Sequence, residues 1–222
     1  MVVMVVLEQV ARRIRRDVVQ MIAASRSGHI GGALGVAELL AVLYFDKMRH
    51  RPEEPDWEDR DRFVLSNGHV CAALYSALAR SGYFPAEELL TFRKLGSRLQ
   101  GHPCRVHLPY VETASGPLGQ GLSIANGMAL ALRLRRSPAK VYCLAGDGEM
   151  QEGQIWEAVM TSAHYKLNNL MLIVNWNGLQ IDGDVNQVKT IDPLTDKLEA
   201  FGWRVMDIDG HDIGQIRSAI DS

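Results

Sequence analysis

Two short apolar runs, set one helix apart, constrain this chain more than any other feature. Lys140 to Ala145 (KVYCLA) and Leu170 to Val174 (LMLIV) are continuous rather than alternating, the pattern of strands covered on both faces. Gln151 to Tyr165 between them has helical length, and Asn168-Asn169 turns the chain back. Such a crossover is right-handed and returns the second strand parallel to the first, so both carboxyl ends lie on one edge of a sheet.

The remaining segments repeat the alternation. Leu7, Val10, Ala11, Ile14, Val18 and Ile22 recur at helical spacing, with Arg12, Arg13, Arg15 and Arg16 on or beside the other face; this predicts a surface helix. After the glycine-rich break at 27–32, a second helix is expected from Val36 to Phe45. A buried strand is expected at Arg62 to Ser66, and helices from Val70 to Arg80, from the Pro85 start, and over Leu122 to Arg135. Asp192-Pro193 introduces another helix, stopped at Gly202, and Trp203 to Ile208 is expected to form a further strand. The expected fold is α/β: a mainly parallel sheet with helices on both faces, in a single domain over residues 1–222.

Composition narrows the partners. A formal charge of −2 gives no basic excess with which to bind nucleic acid or an anionic membrane. The opening MVVMVVL is too short to span a bilayer and runs straight into a helical pattern, so it reads as no signal peptide. Three cysteines at wide spacing fit reduced thiols and a cytoplasmic setting. Cys104 between His102 and His107 has no second cluster to complete a zinc site.

The strand ends carry the chemistry. The first run opens onto Gly146-Asp147-Gly148, and the second onto Asn175-Trp176-Asn177-Gly178. In parallel sheets ligands bind outside the carboxyl ends of strands, so Asp147 and Asn177 are expected to be neighbours. A carboxylate, an amide and a carbonyl form a weak oxygen cage. Magnesium takes about six oxygens at roughly 2.0–2.1 Å and commonly completes its shell from water and phosphate. A diphosphate next to a helix N-terminus suits this, with the flanking glycines permitting close backbone approach. Taken alone, Gly-Asp-Gly reads equally as a turn followed by capping acids; the Asn-Gly loop at strand–helix–strand distance favours the metal. The third glycine of a dinucleotide fingerprint and the lysine of a P-loop are both missing.

GDGEMQEG with NWNGLQIDG resembles the thiamine diphosphate motif of transketolases. SGHIGGALG, LSNGH, FRKLGSRLQGHP, SGPLGQGLSIANGMALA and FGWRVMDIDGHD extend the resemblance over nearly the whole chain. In size it resembles the N-terminal, pyrophosphate-binding subunit of a split, two-chain transketolase. The resemblance implies that Asp147, the Asn177 side chain and the Leu179 carbonyl bind Mg²⁺ or Ca²⁺, with Gly148 against the diphosphate of thiamine diphosphate. It implies that Gly116 and Leu118 contact the aminopyrimidine through their backbones and that His69 contacts the cofactor. His29 and His102 would hydrogen-bond the hydroxyls of the sugar, and Glu152 would join a carboxylate network across the contact between subunits. Glu149 reads as an exposed first-turn acid.

Histidine suits a ketol transfer, which moves protons on and off hydroxyls near neutral pH. A single Gly-His in a loop is more often a turn residue, but His29, His69 and His102 all lie in glycine-flanked loops before or beside a helix start. His50, His107 and His164 match no family position and read as surface or core residues. The small-residue helix after Gly121 either packs closely within the domain or forms a contact between subunits.

Some positions depart from the family pattern. Ile30 replaces a proline, as in split forms, and Asn175-Trp176 stands where the family has an acidic or polar pair. The chain reads as shortened at its C-terminus: the family continues to a further active-site histidine, which His211 is not. The glutamate that tautomerises the aminopyrimidine belongs to a pyrimidine-binding domain. The implied partner is therefore a C-terminal transketolase subunit, in a heterotetramer with two chains of each kind, acting on sugar phosphates of the pentose phosphate pathway. Alternatives are another thiamine diphosphate enzyme subunit, for an unusual sugar or a 2-oxoacid, or a noncatalytic cofactor- or partner-binding module.

Overall fold

The structure is a computed structural model that describes residues 2–181 and 183–222; Met1 and Asp182, the latter within the 175–183 motif, lie outside the described residues. In chain order the elements are α1 (Val2–Ser25), α2 (Ile30–Gly35), α3 (Ala37–Val42), β1 (Arg62–Leu65), α4 (Cys71–Arg80), α5 (Gln120–Leu134), β2 (Val141–Gly146), α6 (Gly153–His164) and β3 (Leu170–Asn175). They continue as β4 (Leu179–Gln180), β5 (Gly183–Asp184), α7 (Val185–Lys189), α8 (Leu194–Ala200) and α9 (Ile213–Asp221). Among the described residues no helix is long and apolar enough to cross a membrane.

The chain divides into two compact units. One comprises 61–67 and 115–207 and holds the sheet. Its three strands lie in the order β1-β2-β3, all parallel, with Leu65 opposite Leu144 and Gly146 opposite Asn175. Among the described residues β2 lies between two strands and is buried along Val141 to Ala145, whereas β3, at the end of that order, is half-buried over most of its length. Leu122, Ala125 and Ala129 of α5 join Val141, Cys143 and Ala145 of β2, Ile155 and Val159 of α6, and Leu194 and Leu198 of α8 in one core. Burial of that apolar surface is what holds the layers together.

The segment expected as a strand at 203–208 is not one. The Trp203 indole donates to the Val159 carbonyl at 3.1 Å, and Trp203 and Val205 pack on the core while Met206 and Ile208 are exposed.

The other unit comprises 1–60, 68–114 and 208–222. Here α1 packs on α2, α3, α4 and α9. Its buried stripe of Leu7, Ala11, Ile14, Val18 and Met21 agrees with the sequence periodicity, and the Asp17 carboxylate takes Ser76 Oγ at 2.7 Å and the Arg80 fork at 2.8 Å. The expected helix from Val36 to Phe45 is present as α3 continued by a π turn over Leu43–Lys47, while α2 lies inside and just after the glycine-rich break. Close packing explains the glycine at 32, where a Cβ would come within 2.9 Å of the Val70 side chain. The Pro85 start leads into a 3₁₀ turn, Ala86–Thr91.

Candidate functional site

Asp147 follows β2 immediately and is 3% exposed. Its Oδ1 accepts the Gly148 N–H at 2.8 Å, while Oδ2 accepts the N–H groups of Asn177 at 3.0 Å and Gly178 at 2.7 Å. One carboxylate thus fastens the end of β2 to the loop after β3, thirty positions on. Gly178, whose N–H is one of these donors, is at φ +73, where a side chain would be strained. The expected proximity of Asp147 and Asn177 is present and is built from backbone donors.

The donor set suits a hard cation. Among the described residues Asp147 Oδ1 accepts a single bond, and the Asn177 side-chain oxygen accepts the Leu179 N–H alone, at 2.8 Å. Asn177 and Leu179 are both exposed residues. Among the described residues no three His, Cys, Asp or Glu side chains gather to hold a metal. A cation here would complete its shell from water or phosphate, as magnesium commonly does. Gly148 begins the 3₁₀ turn Gly148–Gln151, and a Cβ there would lie 3.3 Å from that of Gln180.

The same unit carries the Gly116–Leu118 loop, half-buried at Gly116 and Leu118. Two buried oxygens, Asn67 Oδ1 and Ser115 Oγ, have no hydrogen-bond partner among the described residues. An unpaired buried polar group costs about 1–3 kcal/mol. A polar ligand beside the Leu65–Asn67 and Ser115–Leu118 segments would relieve it, and thiamine diphosphate offers such groups.

Glu149 corrects the expectation of an exposed acid: it is 2% exposed. Oε1 accepts the Ser66 hydroxyl and the Gly119 N–H at 2.8 Å, and Oε2 accepts the Gly146 N–H at 3.1 Å. Ser66 Oγ in turn accepts the Gly121 N–H at 3.0 Å. Glu149 therefore joins the end of β1, the turn before α5 and the end of β2. Burial pushes its carboxyl above the usual carboxylate range against the pull of these donors, and the charge of Glu152 adds to the rise. Gly119 is at φ +85, and a Cβ on Gly121 would come within 2.3 Å of Ser66, so both positions require glycine. Glu152 itself is exposed, at the N-cap of α6.

In the other unit, three sequence-predicted histidines cluster. The rings of His29 and His69 meet edge-on with centroids 5.2 Å apart. His69 is half-buried, and burial, with His29 and His102 adding to it, lowers its pKa to about 4. His102 is also lowered, by burial first and then by Arg93 and His29. Neutral imidazoles of this kind accept and donate hydrogen bonds at neutral pH. His50 is a satisfied structural residue, bonded to the Tyr44 carbonyl at 2.8 Å and the Tyr83 hydroxyl at 3.2 Å. His211 lies 3.2 Å from Glu38.

A parallel sheet with an Asp-centred clamp at its carboxyl edge and glycine-bounded loops beside it defines an α/β domain of the diphosphate-binding class. Residues 6–222 match the thiamine diphosphate binding domain of transketolase. The chain is 43% identical over 215 residues to the 6-deoxy-6-sulfo-D-fructose transketolase subunit SqwG of Clostridium sp. (strain MSTE9), covering 97% of this chain and 78% of that protein. It is 40% identical over 210 residues to an apulose-4-phosphate transketolase subunit of Phocaeicola vulgatus, covering 95% and 74%. The transketolase of Campylobacter jejuni superposes with a TM-score of 0.92 at 39% identity, over 97% of this chain but 35% of that one. The chain belongs to the transketolase family.

Proposed function

We propose that this chain is the N-terminal subunit of a two-chain ketol transferase. It binds thiamine diphosphate with Mg²⁺ (or Ca²⁺) and, together with a C-terminal pyrimidine-domain subunit, moves a two-carbon ketol unit between sugar phosphates. The Asp147 clamp is the observation that carries this reading: an anionic, preformed oxygen site at the mouth of a parallel sheet, with a glycine on each side. Two relatives are themselves named as transketolase subunits. Those names support the need for a partner, in a heterotetramer with two chains of each kind.

In this reading Asp147, the Asn177 side chain and the Leu179 carbonyl hold the metal, and Gly148 lets the backbone approach the diphosphate. Gly116 and Leu118 hold the aminopyrimidine by their backbones. Bound thiamine diphosphate supplies the carbanion-stabilising centre. His69 contacts the cofactor, while His29 and His102 hydrogen-bond the sugar hydroxyls and move protons at those oxygens. Glu152, exposed at the start of α6, relays protonation toward the second active site. The setting is the cytoplasm and carbohydrate metabolism.

Relatives named for sulfofructose and apulose phosphate favour a second version, in which the donor is an unusual sugar rather than one of the pentose phosphate pathway. Assays of the assembled two-chain complex with xylulose-, apulose- and sulfofructose-type donors would separate the versions. Transfer from one donor class identifies the substrate. No transfer from any of them, with cofactor bound, refutes the proposal in favour of a noncatalytic binding module or a different thiamine enzyme.

A further inference from the structure

Arg93, whose charge already bears on His102, has its backbone at φ +58, in the left-handed region that a long side chain seldom adopts. Such a conformation persists where the surroundings over-determine it. Its N–H donates to the Leu99 carbonyl at 2.9 Å, and its guanidinium lies 5.5 Å over the Phe92 ring. Nη1 donates to Ser27 Oγ at 2.7 Å, and Nη2 to the Gly101 carbonyl at 3.2 Å. Nε is buried without a hydrogen-bond partner among the described residues.

Ser27 precedes His29 by two positions, and Gly101 immediately precedes His102. A Cβ on Gly101 would stand 2.8 to 2.9 Å from the guanidinium, so the glycine is what admits the fork. All of these residues lie in the same unit. We propose that Arg93 is the positioning residue of the histidine cluster, fastening the loops of His29 and His102 to one cation. The clasp rests on the ketol-transfer reading only for what the two rings hold.

A lysine cannot reproduce this fork, since its ammonium is a single point rather than a planar set of donors. The charge has a second effect. Arg93, His29 and His69 are the charged and titratable groups that face His102, and a fixed cation disfavours its imidazolium. The clasp therefore adds to burial in keeping the His102 ring neutral, able to accept a proton from a hydroxyl.

Histidine C2–H titrations by NMR on the full chain test this without any need for turnover, with His102→Gln to assign the resonance. In Arg93→Gln the His102 midpoint is expected to rise toward the ordinary histidine value; in Arg93→Lys it is expected to stay low while amide exchange quickens at 28–29 and 101–102. A His102 midpoint in Arg93→Gln equal to that of the parent overturns the proposal. If Arg93→Gln loses cooperative unfolding, Arg93→Lys decides: quicker exchange supports the clasp, and unchanged exchange overturns it. In the assembled complex, Arg93→Lys is expected to raise KM for the donor several-fold more than it lowers kcat. A moved midpoint with no ketol transfer by any complex would remove the functional reading and leave the clasp standing.

Discussion

The two polar clusters of this chain are built by opposite means. Around Asp147 and Glu149 the carboxylates are buried and nearly every oxygen is committed to a backbone N–H, so the loops after β1, β2 and β3 are locked before any ligand arrives. At His29 and His102 the rings are exposed, and the order comes from behind, through a guanidinium that grips the loops rather than the rings. The contrast teaches a division of labour. A constant ligand, such as a diphosphate, rewards a rigid cradle, whereas a variable sugar leaves side chains free to pair with whatever hydroxyls it presents.

Substitutions can break that comparison. Asp147→Ala removes the acceptor of three backbone bonds along with the proposed metal ligand, and is expected to abolish ketol transfer by at least about a thousand-fold; steady-state rates of the assembled complex check this. Asp147→Asn keeps an acceptor but no charge, and is expected to hold the loop while losing the metal. Glu149→Ala strands the Ser66 hydroxyl and two N–H groups and is expected to cost about 3 kcal/mol in denaturant unfolding. His29→Ala and His102→Ala, at exposed rings, are expected to stay within about 0.5 kcal/mol of the parent in stability. Equal destabilisation by Glu149→Ala and His102→Ala would erase the distinction between cradle and cluster.

The smallest effect is a pH slope. His69 is depressed to about 4 in the fold against an ordinary value near 6.5, so the unfolded chain binds more protons between those limits. Stability should therefore rise with pH from about 4 to about 6.5 and then level off. His69→Gln should flatten that slope, as measured by unfolding at a series of pH values. An unchanged slope would place the titration elsewhere.

Much of the cradle is legible in the sequence because it follows a topological rule: strand–helix–strand returns Asn177 to Asp147 whatever the side chains between them. Transketolase resemblance then supplies roles that spacing alone leaves open. Glu149 escapes a sequence reading because a first-turn acid is ordinarily a surface residue, and its donors come from Ser66, Gly119 and Gly146, positions that only the fold brings together. The available signal is Ser66, a hydroxyl ending an apolar strand where an apolar side chain would be expected. Arg93 leaves no local trace, since nothing in FRKLG marks a left-handed arginine. Trp203 to Ile208 shows the reverse error, a strand pattern in a segment that is irregular and sends Trp203 and Val205 to the core.

Thermal unfolding of the two-chain assembly, with and without thiamine diphosphate and Mg²⁺, tests the central claim most directly when the parent is run beside Asp147→Ala. With ligand at 100 times its dissociation constant the parent should gain about 2.7 kcal/mol, and Asp147→Ala should gain nothing. A parent unmoved by the cofactor, or an Asp147→Ala shift as large as the parent's, would contradict a metal–diphosphate site centred on Asp147.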